Sequence, residues 1–561
     1  MDAGVCSPGG LDSSVVALRS TQRAPRSCTR CSRRKIKCDQ RIPCSQCIKK
    51  GTPETCSRET VLVRGSVTTA RVENHVPTYD ELLADNERLK SVTTAHCSKP
   101  LSPLTPRLKE DYDCDFLERY LFENVQQVLN PSNFDAQPKI FPSRECSNKL
   151  INYDKTWNSW VHYAVQYPDF DQEHDLLWEL SAIGIPPDQT EPGWLALYFA
   201  VLAAALLTMD ENEVRNLRLP MDDIDSLLRL WFDSSLHYLH KSEFMRRYDV
   251  VTVQTIAVLG ICLNNLGEYK LYKTLWSCAL RIAQGLGMDK PKVDGLKLRP
   301  ELCRRLWWTL VICEWLSVPW HPPCITEYDF DVPIPELELE PAMTTNSSGG
   351  MAPCFPVHYH IFMIRVSSVY QRFRRRLRTG EASSEDLVRE ADDQLAQIIA
   401  DLPSHLQPEE PQNNYTKQRD KYYPWIPWQR VYLRLVLLYH RMVINRTFQS
   451  NWLVDPDRYG GSRAICLNSA KGILGIGRDW TMPIAKRRQW APTVHTYAAT
   501  ACLLRERDGH RLSLTSNYQS LIDYAMSYLS KLESTSAVAK TANQILRLIS
   551  TEGVDFMRAG E

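Results

Sequence analysis

A chain of 561 residues with 67 Lys and Arg against 66 Asp and Glu carries a formal charge of +1, and 43% of it is apolar. That length leaves room for several modules, and the balance is an ordinary soluble composition that excludes a generally basic protein. Residues 1–20 hold Gly, Ser and Pro without periodicity and read as disordered. They contain neither a cationic start nor a 7–15-residue apolar core, so they do not read as a secretory signal.

The first stretch with chemistry in it runs from Cys28 to Cys56. Its cysteines follow C-x2-C-x6-C-x5-C-x2-C-x8-C, and they fall into two similar halves, Cys28/Cys31/Cys38 and Cys44/Cys47/Cys56. A C-x2-C pair lets two thiolates reach one tetrahedral zinc at a Zn–S distance of about 2.3 Å. Two tetrahedral ions need eight ligand positions, so six cysteines suffice only if two thiolates bridge. A local two-fold between the halves makes Cys28 and Cys44 the natural bridging pair. A disulfide framework needs an oxidising compartment to which nothing in residues 1–20 points, and a redox C-x-x-C needs a βαβ setting that is absent. Two structural zinc ions per chain are the expectation. With every coordination position taken by cysteine, none is left for a reactive water.

Residues 21–50 hold ten Arg or Lys and one acid, Asp39. Six thiolates around two Zn²⁺ leave the metal core formally negative by two charges, so the outer surface stays basic. Ser32 to Lys37 reads as a turn or two of helix just after Cys31, too short to stand without the metal. Its cationic side chains, Arg33, Arg34, Lys35 and Lys37, lack the interspersed acids of a merely solvated charge run. They form a candidate phosphate-binding surface, and Arg33 to Lys37 could double as a nuclear import signal.

The six cysteines, RRKIKCD (Arg33 to Asp39) and Pro43 before Cys44 closely resemble the fungal binuclear zinc cluster transcription factors. The resemblance implies a nuclear, sequence-specific DNA-binding regulator in which two short helices follow the C-x2-C units. The first helix would present its end to a CGG triplet in the major groove. By position, Arg34 and Lys35 would reach base edges and Lys37 a phosphate. Ser32 departs from the basic residue that many members carry, which puts one phosphate contact in doubt.

A polar linker follows from Ser57 to about Pro77, and residues 59–100 are taken as linker together with a short dimerisation helix. Thr78 with Glu81 forms a capping-box pattern, and Tyr79, Leu82, Asn86 and Leu89 follow at heptad spacing. A polar residue at the Asn86 position fixes register in parallel dimers. The seam spans only about two heptads, and the family's usual layout is what points to a homodimer here.

From residue 101 to 561 the pattern is helix after helix. Trp194 to Met209 is the most apolar run. At 1.5 Å per residue it reaches about 24 Å, short of a bilayer core of about 30 Å, so a buried core helix is expected and no membrane span. Leu271, Leu275, Cys278, Ile282 and Leu286 recur at helical spacing up to a stop at Gly287. Leu302, Leu306, Leu310 and Cys313 do the same in the next segment, and Phe330 to Glu336 is a Pro-punctuated loop. Period-two alternation is nowhere sustained, so the fold class is all-α.

The order of ALRIAQGLGM, RRLWWTLVICEWLS, YDFDVPIPE, DQLAQIIADLP and VYLRLVLLYHRMVINRTF resembles the middle homology region of the same family. It implies a large helical regulatory domain that meets the transcription machinery or co-regulators, often for genes of a metabolic or biosynthetic pathway. His237 and His240 near Glu243 form no H-E-x-x-H. Trp307, Trp308, Trp315 and Trp320 read as packing, and the twelve cysteines outside the cluster as reduced buried thiols. No P-loop, dinucleotide fingerprint or nucleophile elbow is present, and no catalytic constellation emerges. The rival reading is a helical scaffold whose zinc module binds protein; it leaves the ten cations unexplained.

Overall fold

The computed structural model describes residues 20–21, 26–58, 61–63, 66–68, 115–125, 139–293, 295–337, 354–408, 410–479, 487–509 and 515–552. The chain divides into two compact units, Met1–Leu104 and Thr105–Glu561. In the first unit, two five-residue helices, α1 (Thr29–Arg33) and α2 (Ser45–Lys49), precede a 3-10 turn at Pro53–Thr55. Three very short strands flank them: β1 (Ser20–Thr21) pairs in parallel with β2 (Val61–Val63), which pairs antiparallel with β3 (Ser66–Thr68). The polar linker therefore begins with a small ribbon, while Ser20, read with residues 1–20 as disordered, belongs to a strand. Residues 1–19 lie outside the described residues, as do Tyr79, Leu82, Asn86 and Leu89.

Among its described residues, every regular element of the second unit is a helix. It opens with α3 (Phe116–Asn124), α4 (Arg144–Trp157), α5 (Ser159–His162), α6 (Tyr167–Ala182) and α7 (Pro192–Thr208). Next come α8 (Glu211–Arg215), α9 (Ile224–Lys241), α10 (Val250–Leu263), α11 (Tyr269–Gly285) and α12 (Pro300–Trp315). After the loop that holds Phe330 to Glu336 follow α13 (Val357–Thr379), α14 (Ser384–Ala400), α15 (Asn414–Tyr422), α16 (Ile426–Arg446) and α17 (Asn451–Val454). The last four are α18 (Pro456–Asp479), α19 (Trp490–Gly509), α20 (Thr515–Leu532) and α21 (Ala537–Glu552).

Helix α7 is the hub. Pro192 opens it and the Glu191 carboxylate caps the Trp194 N–H at 2.7 Å. Every residue from Trp194 to Thr208 is buried, because α4, α9 and α10 all pack on it. An all-round apolar helix is stable in water only under such cover, and each fully buried large side chain is worth about 1.5–3 kcal/mol. Among the described residues no helix is long and apolar enough to cross a membrane. Helix α11 meets α10 at Gly260, where an added Cβ would come within 2.9 Å of the Trp276 ring. Gly287 ends the α11 region at φ +76°.

The tryptophans on α12 pack as expected. Trp307, Trp308 and Trp315 are buried around Phe330, and the indole N–H groups of Trp308 and Trp315 donate to the carbonyls of Pro333 and Ile325. Two ion pairs with very long sequence separation fasten α3 to the rest. Asp115 meets Arg374 at 2.7 Å, and Arg446 Nη2 lies 2.8 and 2.7 Å from the two Glu118 oxygens, with Tyr439 donating to the same carboxylate at 3.1 Å. Both pairs are buried.

Candidate metal centre and nucleic-acid interface

The two cysteine halves fold alike, residue for residue at an offset of 16. Cys28 caps α1 from extended backbone (φ −64°, ψ 154°) and Cys44 does the same for α2 (φ −76°, ψ 153°). Ser32 N–H donates to the Cys28 carbonyl and Ile48 N–H to the Cys44 carbonyl, each at 3.0 Å. At the far ends, Ile36 N–H returns to the Cys31 carbonyl at 3.1 Å and Thr52 N–H to the Cys47 carbonyl at 3.0 Å. These are paired Schellman-type closures, in which the residue after the cap must turn left-handed. In the second half that residue is Gly51, at φ +68°; in the first it is Lys35, at φ +52°.

Each helix therefore starts inside its C-x2-C unit instead of following it, with the first cysteine as N-cap and the second in the helix. This corrects the expectation of a helix from Ser32 to Lys37: α1 already starts at Thr29, and Arg34 is its C-cap. In α1 the cause is the cysteine sulfur, which serves as the N-cap acceptor, with Cys28 Sγ accepting the Cys31 N–H at 3.3 Å. Arg33 ends the helix, Lys35 sits on the left-handed turn, and Ile36 and Lys37 lie beyond it. The symmetry stops at the third cysteines, which close loops of different length.

All six sulfurs are buried. Cys28 and Cys44 lie 3.8 Å apart, Cys28 and Cys47 3.8 Å, and Cys31 and Cys44 3.5 Å. A tetrahedron with Zn–S bonds of about 2.3 Å has S···S edges of about 3.8 Å. The sulfurs are thus at the separations that zinc coordination requires, with each candidate bridge beside a cysteine of the opposite half. Cys38 lies within reach of Cys44, while Cys56 Sγ accepts the Cys44 N–H at 3.2 Å. Thr29 ties the module shut through its N–H and hydroxyl, 2.8 and 3.0 Å from the Ser57 carbonyl.

Arg33, Arg34, Lys35 and Lys37 are all exposed. Asp39, the one acid nearby, has its carboxylate occupied: it accepts the Ser45 N–H at 3.0 Å, a bond that holds its pKa below the usual carboxylate value. No acid of the described residues pairs with the four cations. Ile36 is exposed among them, and Ile42 and Ile48 are exposed elsewhere in the module, a feature that residue spacing does not announce. Arg58 donates to the Gln40 carbonyl and holds the loop after Asp39.

In the helical unit, His237 and His240 pack against Tyr238 and Phe244 and join no metal-ligating group among the described residues. Cys262 and Cys303 are buried, and burial pushes the Cys303 thiol up to about 11, but Cys278 and Cys313 are half-buried and Cys324 is exposed, against the expectation of buried thiols throughout.

Comparison with known proteins matches residues 26–61 to the fungal Zn(2)-Cys(6) binuclear cluster domain and residues 156–427 to the fungal specific transcription factor domain. The chain is 21% identical over 527 residues to the agnestins biosynthesis cluster transcription factor AgnL11 of Paecilomyces divaricatus, covering 82% of this chain and 74% of the relative. It is 26% identical over 313 residues to the aurofusarin cluster transcription factor aurR2 of Gibberella zeae, covering 51% and 44%. Among solved structures, the K. lactis CBF3 core superposes with a TM-score of 0.50 at 12% identity, over 80% of this chain and 95% of that one, a likeness of fold alone.

Proposed function

This chain belongs to the fungal zinc cluster transcription factors, DNA-binding regulators whose six cysteines hold two zinc ions, and on that premise we propose how it reads DNA. Lys35 and Arg34 meet base edges of a CGG-type half-site in the major groove, while Arg33 and Lys37 lie on flanking phosphates. The observation that carries this reading is the left-handed turn at Lys35. A non-glycine residue there is strained by about 1–2 kcal/mol, and its twin position holds glycine. Such a cost at an exposed position argues that the side chain itself is needed.

Zinc supplies structure only: it fixes two helices that are too short to form alone and so aims their cations. The sulfur separations support Cys28 and Cys44 as the bridging pair, with Cys31 and Cys38 completing one ion and Cys47 and Cys56 the other. A homodimer formed through Tyr79, Leu82, Asn86 and Leu89 would place two modules on paired half-sites. The helical unit would set the output through co-regulators, in the nucleus where the target genes are. The names of the relatives support a biosynthetic gene cluster as the target. The test is selection of bound duplexes from a random pool, followed by binding to the winner with Lys35→Ala and Lys37→Ala. Loss of sequence preference in the first, and uniform weakening with a salt slope lower by about one in the second, is the expected pair of results. Equal losses on selected and random DNA for Lys35→Ala would contradict the groove assignment.

A further inference from the structure

The helical unit contains a cavity of about 330 Å³ between α13 and α14, closed on one side by the loop at Glu327 and Tyr328. That volume is at the low end of the roughly 300–1,000 Å³ typical of small-molecule sites. Three guanidinium groups, Arg372, Arg375 and Arg376, and three carboxylates, Glu327, Glu381 and Glu390, line it, so its formal charges cancel.

The cancellation is not pairwise. Arg376 is ion-paired, 2.7 Å from Glu390 and 3.7 Å from Glu381, and Arg375 Nη1 meets Glu381 at 3.3 Å. Arg372, exposed at the rim, donates only to the Ser368 carbonyl of its own helix, at 3.2 Å, and has no acid partner among the described residues. Glu327 likewise has no cation partner among them. Arg375 Nε is buried without an acceptor.

We infer that this cavity binds a zwitterionic ligand of the α-amino-acid class, its carboxylate taken by Arg372 and the Arg375 Nε–H and its ammonium by Glu327. Each unpaired group then receives the charge it lacks, and the site remains neutral. A phosphate dianion would instead bring its charge against Glu381 and Glu390. The inference concerns the helical unit alone and stands apart from how the zinc module reads DNA.

The test uses the zinc-loaded full chain and follows thermal unfolding and calorimetric binding. The probes are each common amino acid at millimolar concentration, the matching carboxylic acids without the amino group, and inorganic phosphate. At least one amino acid is expected to raise the melting temperature, since a ligand that binds only the folded state stabilises it. Neither its des-amino counterpart nor phosphate should do so. Arg372→Gln and Glu327→Gln, at positions where no other residue relies on the side chain, should melt like the wild type without ligand and bind that amino acid at least tenfold more weakly. No response to any amino acid overturns the inference. So does an equal response to phosphate or to the des-amino acid, or a response that survives either substitution.

Discussion

Replacing Lys35 by glycine separates what that position does for folding from what it does for DNA. Its backbone is left-handed at φ +52°, where an L side chain costs about 1–2 kcal/mol and glycine costs nothing in the folded state. Glycine loses about 0.5–1 kcal/mol more backbone entropy on folding than a residue with a Cβ. Lys35→Gly should therefore leave the module as stable as wild type or steadier by up to about 1.5 kcal/mol, whereas Lys35→Ala keeps the strain. Both variants lose the ammonium, so both should lose about 1–3 kcal/mol of binding to the selected site, with far less change on random duplex. The assays are zinc release against a competing chelator, for stability, and fluorescence anisotropy on the two duplexes, for binding. If Lys35→Gly released zinc more readily than Lys35→Ala, the strain argument would fail. If it bound the selected site as tightly as wild type, Lys35 would not be reading bases.

Native mass spectrometry of the fragment from Thr21 to Arg58 should show two zinc ions. Cys28→Ser and Cys44→Ser should strip both ions, because each bridge serves both metals, while Cys56→Ser should spare one. In the helical unit, Glu118→Gln leaves Arg446 as a buried charge without its counter-ion, which should cost about 3–5 kcal/mol and lower the thermal midpoint followed by circular dichroism. Leu82→Pro should break the candidate pairing helix and reduce binding to a two-half-site duplex by on the order of 10²–10⁴, with single-site binding unchanged. Undiminished binding to the double site would move dimerisation out of Tyr79–Leu89.

The parts of this molecule that could be read from residues are those whose cause is local. Cysteine spacing announces metal ligation because tetrahedral geometry restricts how far apart the ligands can lie. The run from Trp194 to Met209 announces a buried helix because it has no polar face at all. The start of α1 was not legible: a cysteine sulfur stands where Ser, Thr, Asp or Asn usually caps a helix, and five residues are too few to show periodicity. The left-handed turn at Lys35 did leave a trace. Superposing the two halves on their cysteines sets Lys35 opposite Gly51, and a glycine just after a helix predicts that turn. The ribbon of β2 and β3 had a weaker signal, the apolar triplet Val61–Val63 and the β-branched Val67-Thr68 on either side of Arg64-Gly65. The anchoring of α3 by Arg374 and Arg446 had none, because the partners lie more than 250 residues away in the chain and only the completed fold brings them together.

The central claim is that zinc-locked cations at the end of α1 select a DNA sequence. The most direct measurement enriches duplexes from a random pool on the zinc-loaded full chain, in parallel with chelator-stripped protein. Convergence on CGG-containing sites is predicted with zinc and none without it, together with a log–log salt dependence that becomes shallower by about one for each phosphate-contacting cation removed. Enrichment of unrelated sequences, or of the same sites after the zinc is stripped, would contradict it.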